Sequence, residues 1–120
     1  LSARQLEELA RRPKEILPWD AAEEVAFECE PGTLNPGKLA AIRGLGVTRL
    51  SLGAQSFDTE KLRLLERDHD AAAIRRALEG ARRRGCDVSI DLIFGTPGET
   101  LDDWRRDMAE AVALASAAYA

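Results

Sequence analysis

VAFECEPG (Val25–Gly32), RLSLGAQSF (Arg49–Phe57) and DVSIDLIFGTPG (Asp87–Gly98) are three short runs with the pattern of β-strands. Side chains alternate between the two faces of a strand. In the first run Val25, Phe27 and Cys29 fall on one face, with Glu28 and Glu30 on the other. In the second, Leu50, Leu52 and Ala54 oppose Ser51, Gly53 and Gln55. In the third, Val88, Ile90, Leu92 and Phe94 oppose Ser89 and Asp91. Helical patterns separate the runs, which predicts a parallel sheet with helices packed on it. Parallel strands covered on both sides read as near-continuous apolar segments. Here one face of every run is polar, and two of the three carry carboxylates. Burying an unpaired carboxylate costs several kcal/mol or more. That face is therefore expected to meet a polar ligand or water, as the wall of a binding site.

The helices between the runs carry their own punctuation. Ser2 and Gln5 have capping-box spacing, and Pro13 is expected to stop the first helix. Asn35 and Pro36 announce a second helix with the stripe Leu39, Ile42 and Leu45. Asp58 caps a short helix bearing Leu62 and Leu65. Asp70 caps the next, whose stripe is Ala73, Ile74, Ala77, Leu78 and Ala81, and Gly85 ends it. Thr100 and Asp103 open a last helix with Trp104, Met108, Ala111, Val112 and Ala115 on one side. The order is α-β-α-β-α-α-β-α. Three strands cannot close a barrel, so the chain reads as a slice of a larger α/β barrel or open sheet. Ligands of such folds sit at the C-terminal ends of the strands. Glu28, Glu30, Gln55 and Asp91 lie at or near those ends, so face and end select the same residues.

Composition narrows the functional classes. The formal net charge of −4 argues against a nucleic-acid-binding surface. The basic stretch Arg82–Arg84 falls at a predicted helix C-terminus, where it complements the helix dipole. No apolar run approaches the ~20 residues needed to span a bilayer, and no signal-peptide pattern is visible. The two cysteines, Cys29 and Cys86, do not form a CxxC or similar ligand pair. Free cysteines make a reducing, cytoplasmic setting the default expectation.

Pattern alone leaves two readings open at each candidate. Glu28 and Glu30 could accept hydrogen bonds from a ligand or form salt bridges within the fold. Gln55 offers both donor and acceptor, suited to a ligand or to bracing a loop. Asp91, between Ile90 and Leu92, needs a partner, whether ligand or internal cation. Arg67 and His69 lie in the break between two helices, where Arg can fork onto a carboxylate. His69 is read as structural. GTPGET (Gly95–Thr100) lacks the Walker lysine and the GxGxxG spacing, so it reads as a tight turn. No catalytic triad, zinc cluster or paired-carboxylate hydrolase pattern is present.

FECEPGTL, LSLGAQSF, LERDHDAA and SIDLIFGTPGET, in this order and at these spacings, resemble the middle of a radical S-adenosylmethionine protein. The likeness is to the oxygen-independent coproporphyrinogen III oxidase-like family, including its heme chaperone branch. It implies a slice of about three βα units from a partial (β/α)6, TIM-like barrel. Residues 1–120 are then the central part of the core domain, with the cluster-binding segment before Leu1 and a C-terminal domain beyond. The resemblance implies that Glu28, Gln55, Arg67 and Asp91 contact S-adenosylmethionine, with Glu30 in support. It further implies a [4Fe-4S] cluster in the intact protein. The CxxxCxxC motif and the glycine-rich GGGTP run are absent from these residues, so no metal ligand or catalytic residue is assigned here. Cys29 and Cys86 cannot replace three closely spaced thiolates. PGT after Glu30 and TPGET after Gly95 favour the heme chaperone branch, with heme as ligand and a heme-acceptor protein as partner. The alternatives are a coproporphyrinogen III oxidase and a cofactor-free α/β domain.

Overall fold

A computed structural model describes residues 1–116. Its elements follow the expected order: α1 (Ala3–Ile16), β1 (Ala26–Cys29), α2 (Pro36–Gly44), β2 (Arg49–Gln55), α3 (Thr59–Leu64), α4 (Ala71–Arg82), β3 (Asp87–Leu92) and α5 (Leu101–Ser116). The strands form one parallel sheet in the order β1-β2-β3. Short 3-10 turns at Trp19–Ala21 and Pro31–Thr33 flank β1.

Local chemistry explains where the helices start. Ser2 and Gln5 close a reciprocal capping box. Asn35, Asp58 and Asp70 each accept a hydrogen bond from the backbone N–H three residues on. Such caps contribute about 1 kcal/mol apiece. Pro13 does not stop α1, contrary to expectation; the helix continues to Ile16. A proline removes one N–H, and the carbonyl it would have met belongs to Leu9, whose surroundings are open to water (Leu9 is 61% exposed). The Leu17 N–H then bonds the Pro13 carbonyl at 2.8 Å and closes the last turn.

The core lies between the sheet and one layer of helices. Leu50, Leu52 and Ala54 of the central strand are wholly buried. Leu50 clusters with Leu39 and Ile42 of α2 and Ala81 of α4, and Leu52 with Ala77 and Leu78 of α4. Burying one such leucine contributes about 1.5–3 kcal/mol. Gly80 sets the closeness of α4 to α2, since a Cβ there would lie 2.8 Å from Leu39 Cδ1. Trp19 seals the lower edge: its indole N–H donates to the Leu45 carbonyl at 2.8 Å, and its ring meets Phe27 edge-on at 6.2 Å.

Expected apolar placements fail around α5. Met108 and Val112, and with them Ala115, are exposed, and Phe94, ahead of the helix, leaves the strand face to lie on Trp104 at 5.5 Å. What turns inward instead is Asp107, 3% exposed. Its Oδ2 accepts from the Ser56 hydroxyl at 2.7 Å and from Lys61 Nζ at 3.1 Å, and its Oδ1 accepts from the Phe57 N–H at 2.8 Å. Lys61 is also buried and pairs with Glu99, which in turn accepts the N–H groups of Gly95 and Thr96. A buried polar cluster thus sets the rotation of α5, because stranding these groups costs more than exposing two apolar side chains.

The cluster makes two expectations measurable. Asp107→Ala leaves a buried hydroxyl and an N–H without their acceptor and takes one of two carboxylates from the buried Lys61 ammonium. It should destabilise the fold by about 3 kcal/mol, the scale for breaking a buried pair, read as a shift of the urea midpoint. Glu99 gives the pH dependence. The Lys61 ammonium, with help from the two loop N–H groups, holds its carboxyl below the ordinary glutamate range against the opposing effect of burial. Burial lowers the Lys61 ammonium, but Glu99 and Asp107 outweigh it and hold the group above its usual range. A depressed carboxyl stabilises fully above its unfolded value and loses that stabilisation as pH falls through the folded one. Urea midpoints should therefore drop below about pH 4.3, and Glu99→Gln should flatten that acid limb.

Candidate functional site

The face of the sheet opposite the helices carries a ladder of polar side chains. Glu28, Ser51 and Ser89 sit in register across the three strands. The Ser89 hydroxyl donates to Ser51 Oγ at 3.1 Å, and the Ser51 hydroxyl donates to Asp91 Oδ2 at 2.5 Å. At the lower end Arg49 donates to Ser89 Oγ at 3.3 Å and pairs with Glu24 at 2.9 Å. That pairing holds the Glu24 carboxyl below the usual range. Glu28 and Asp91 are exposed, and among the described residues neither forms a salt bridge. The internal ion pair left open for Asp91 is thus not made; a serine hydroxyl occupies one of its oxygens and the other stays accessible.

Gln55 reaches the site by an irregular path. The register between β2 and β3 slips between Leu52 and Gln55, placing Gln55 opposite Leu92. Simple alternation pairs a polar-face residue with another, so the slip is a bulge that re-aims the strand end. At the bulge Gln55 adopts φ 64°, in the left-handed region. A non-glycine residue there costs about 1 kcal/mol or more. The amide folds back over Gly53: a Cβ at that position would lie 2.8 Å from Gln55 Nε2 and 3.6 Å from Glu30 Oε2. Gly53 is where the backbone leaves room for both polar groups.

Arg67 approaches from the loop between α3 and α4. Glu66 takes φ 53°, and the Arg67 N–H donates to the Leu62 carbonyl at 2.9 Å. One guanidinium nitrogen, Nη1, lies 3.6 Å from Glu30 Oε2. Its Nε is buried and, among the described residues, has no hydrogen-bond partner. The adjoining His69 is buried, with Nε2 2.9 Å from the Ala54 carbonyl and Nδ1 2.8 Å from Glu30 Oε1. An open cleft of about 490 Å³ is lined by Glu30, Arg67 and His69 together with Glu66 and Asp68.

The predicted residues therefore fall into two groups. Arg67 pairs with Glu30, and Glu30 and the Gln55 amide both lie against Gly53. Glu28 and Asp91 flank Ser51 on the open sheet face. Glu30 is more than a supporting residue: it contacts both Arg67 and His69. Sequence reasoning missed this hub, and the Lys61 cluster, because neither pairing has a periodic signature. Among the described residues no group of three or more His, Cys, Asp or Glu side chains is arranged to hold a metal ion. Cys29 and Cys86 belong to the helix-side core. No described helix is long and apolar enough to cross a membrane.

Comparison with known proteins agrees with this architecture. The family model for the radical SAM superfamily matches residues 2–111. The heme chaperone HemW of Lactococcus lactis is 32% identical over 109 residues, covering 90% of this chain and 29% of that protein. HemW of Bacillus subtilis is 34% identical over 121 residues, covering 99% of the chain and 32% of that protein. Among solved structures, the coproporphyrinogen III oxidase HemN of Escherichia coli, itself a radical SAM enzyme, superposes with a TM-score of 0.85 at 30% identity. That match covers 95% of this chain and 26% of HemN. The chain thus spans about 30% of the length of the curated relatives it matches. The three-stranded parallel sheet is the expected slice of the partial TIM-like barrel, and with the family match over nearly all its residues the chain belongs to the radical SAM superfamily.

Proposed function

We propose that residues 1–120 form the central, S-adenosylmethionine-facing part of a radical SAM heme chaperone. One observation carries the reading. Among the described residues the polar sheet face carries two exposed acids without an ion-pair partner, Glu28 and Asp91, and a cleft lined by Glu30 and His69 holds a guanidinium whose buried Nε has no partner. S-adenosylmethionine presents an ammonium, a sulfonium, a carboxylate, two ribose hydroxyls and an adenine. Carboxylates at Glu28 and Asp91 suit its cations and hydroxyls. Gln55 can donate and accept at once. Arg67 suits its oxygens, and a buried Nε without a partner is a donor such a ligand would satisfy.

The [4Fe-4S] cluster does not fit these residues, since no thiolate set is present among them. Its ligands belong, in this reading, to a segment outside the chain. The resemblance to the heme chaperone HemW supports heme as the cargo; a heme-acceptor protein as partner and a cytoplasmic setting complete the same proposal. A second reading, a coproporphyrinogen III oxidase, is favoured by the superposition on HemN. Anaerobic incubation with coproporphyrinogen III separates them: decarboxylated product detected by mass spectrometry supports the oxidase, and heme transfer without it supports the chaperone.

The cofactor wall is tested by calorimetric titration of S-adenosylmethionine into protein reconstituted anaerobically with iron and sulfide. Asp91→Ala should weaken binding at least tenfold, about 1.4 kcal/mol, in a folded variant. Gln55→Gly is the sharper test. It relieves the left-handed backbone while removing the amide, so stability should stay within about 1 kcal/mol of wild type while affinity falls about tenfold. Unchanged affinity in both variants removes these residues from the site. No affinity in the wild type supports a cofactor-free α/β domain instead.

A further inference from the structure

We propose that Glu30 and His69 share one proton and act as a positioning pair for Gln55 and Arg67; the positioning role rests on the cofactor-wall reading above. His69 is the only histidine of the chain, and its side chain is 1% exposed. Its Nε2 lies 2.9 Å from the Ala54 carbonyl oxygen. A carbonyl only accepts, so Nε2 carries a hydrogen. The second ring nitrogen, Nδ1, lies 2.8 Å from Glu30 Oε1. In a neutral ring that nitrogen would set its negative partial charge 2.8 Å from a carboxylate oxygen. Two acceptors at this distance repel. One proton between them turns repulsion into attraction.

The surroundings decide which atom holds it. Glu30 Oε2 lies 3.6 Å from the Arg67 guanidinium, so the negative charge of the pair belongs beside that cation. The proton therefore sits on Nδ1, and the pair is imidazolium and carboxylate. The approach is too bent for a well-aligned hydrogen bond at Nδ1, so the attraction is chiefly ionic. Glu66 and Asp68 also line the cleft and add negative charge around the cations. Gly32 lets the chain after β1 pack closely on the stem of His69: a Cβ there would lie 3.2 Å from His69 Cβ.

The pair touches both predicted ligand residues indirectly. His69 holds the carbonyl of Ala54, the residue immediately before Gln55 with its φ of 64°. Glu30 holds Arg67 and lies beside the folded-back Gln55 amide. One charge-paired unit thus fixes the strained strand end and the loop arginine relative to each other. Glu30 replaces nothing in the chemistry; it sets where two other side chains stand.

The test combines nitrogen-15 NMR of labelled histidine with the calorimetric titration, His69 being assigned by His69→Gln. In the wild type at pH 7 both ring nitrogens of His69 should show the protonated pattern. Glu30→Gln, whose amide N–H can donate to Nδ1, should convert the ring to the neutral form bearing hydrogen on Nε2 only. The same variant should bind S-adenosylmethionine at least tenfold more weakly with its melting temperature retained. Glu30→Asp, which keeps the charge, should keep the imidazolium pattern. An unprotonated Nδ1 in the wild type overturns the shared proton, whatever the variants do. Unchanged affinity in folded Glu30→Gln overturns the positioning role. If the wild type does not bind S-adenosylmethionine, the cofactor-wall reading falls and the positioning role with it, while the nitrogen signals still judge the pair.

Discussion

Lys61 reaches from α3 to two carboxylates, Glu99 and Asp107, that stand after the third strand. The loops following β2 and β3 are both at the C-terminal edge of the sheet, and this ammonium is what joins them. Without a cation there, two carboxylates would sit in a poorly hydrated pocket, a costly arrangement that would splay the loops. With it, the Ser56 hydroxyl and the Phe57 N–H also find an acceptor. The end of β2 and the start of α5 are thereby set against each other. The Trp104 ring, 5.5 Å from the ammonium, covers the cluster on its outer side. The candidate site stands on the same strand ends, so its geometry inherits this constraint.

The two polar systems at the strand ends differ in kind. The Lys61 cluster is closed: its charges are paired and its hydrogen bonds are internal. The Glu30 cleft is open: Arg67 has a buried nitrogen with no partner, Asp91 has an accessible oxygen, and Gln55 is held in a costly backbone conformation. Strain and unmet donors persist only where surrounding contacts enforce them. A closed cluster supplying rigidity beside an open one with spare donors and acceptors is the arrangement expected of a ligand wall braced by its scaffold.

Much of the fold was legible because it rests on local chemistry. Asn35 before Pro36, and Asp70 before the stripe Ala73, Ile74, Ala77, Leu78 and Ala81, each declare a helix start in a few residues, and each cap forms. Period-two alternation placed Leu50 and Leu52 in the core and Ser51 and Asp91 on the open face. The misreadings have different causes. Met108 and Val112 formed a plausible apolar stripe, yet the rotation of α5 was decided by Asp107 meeting a lysine 46 residues away, a long-range polar contact that outweighs a local pattern. Pro13 was read as a stop, which holds only where the freed carbonyl cannot reach water.

The candidate residues were legible for a related reason. Asp91 stood out because a carboxylate in an apolar strand needs an explanation, and the fold supplies a serine rather than a cation. Gln55 was placed on the right face by alternation, but through a bulge that alternation does not foresee. Glu30 was undervalued because its importance lies in neighbours that arrive from the α3–α4 loop, some forty positions along the chain. The residues proposed to contact a ligand stand out by their oddity in a strand pattern. Glu30 is ordinary in sequence, and its place becomes visible only when the fold brings an arginine and a histidine to one carboxylate.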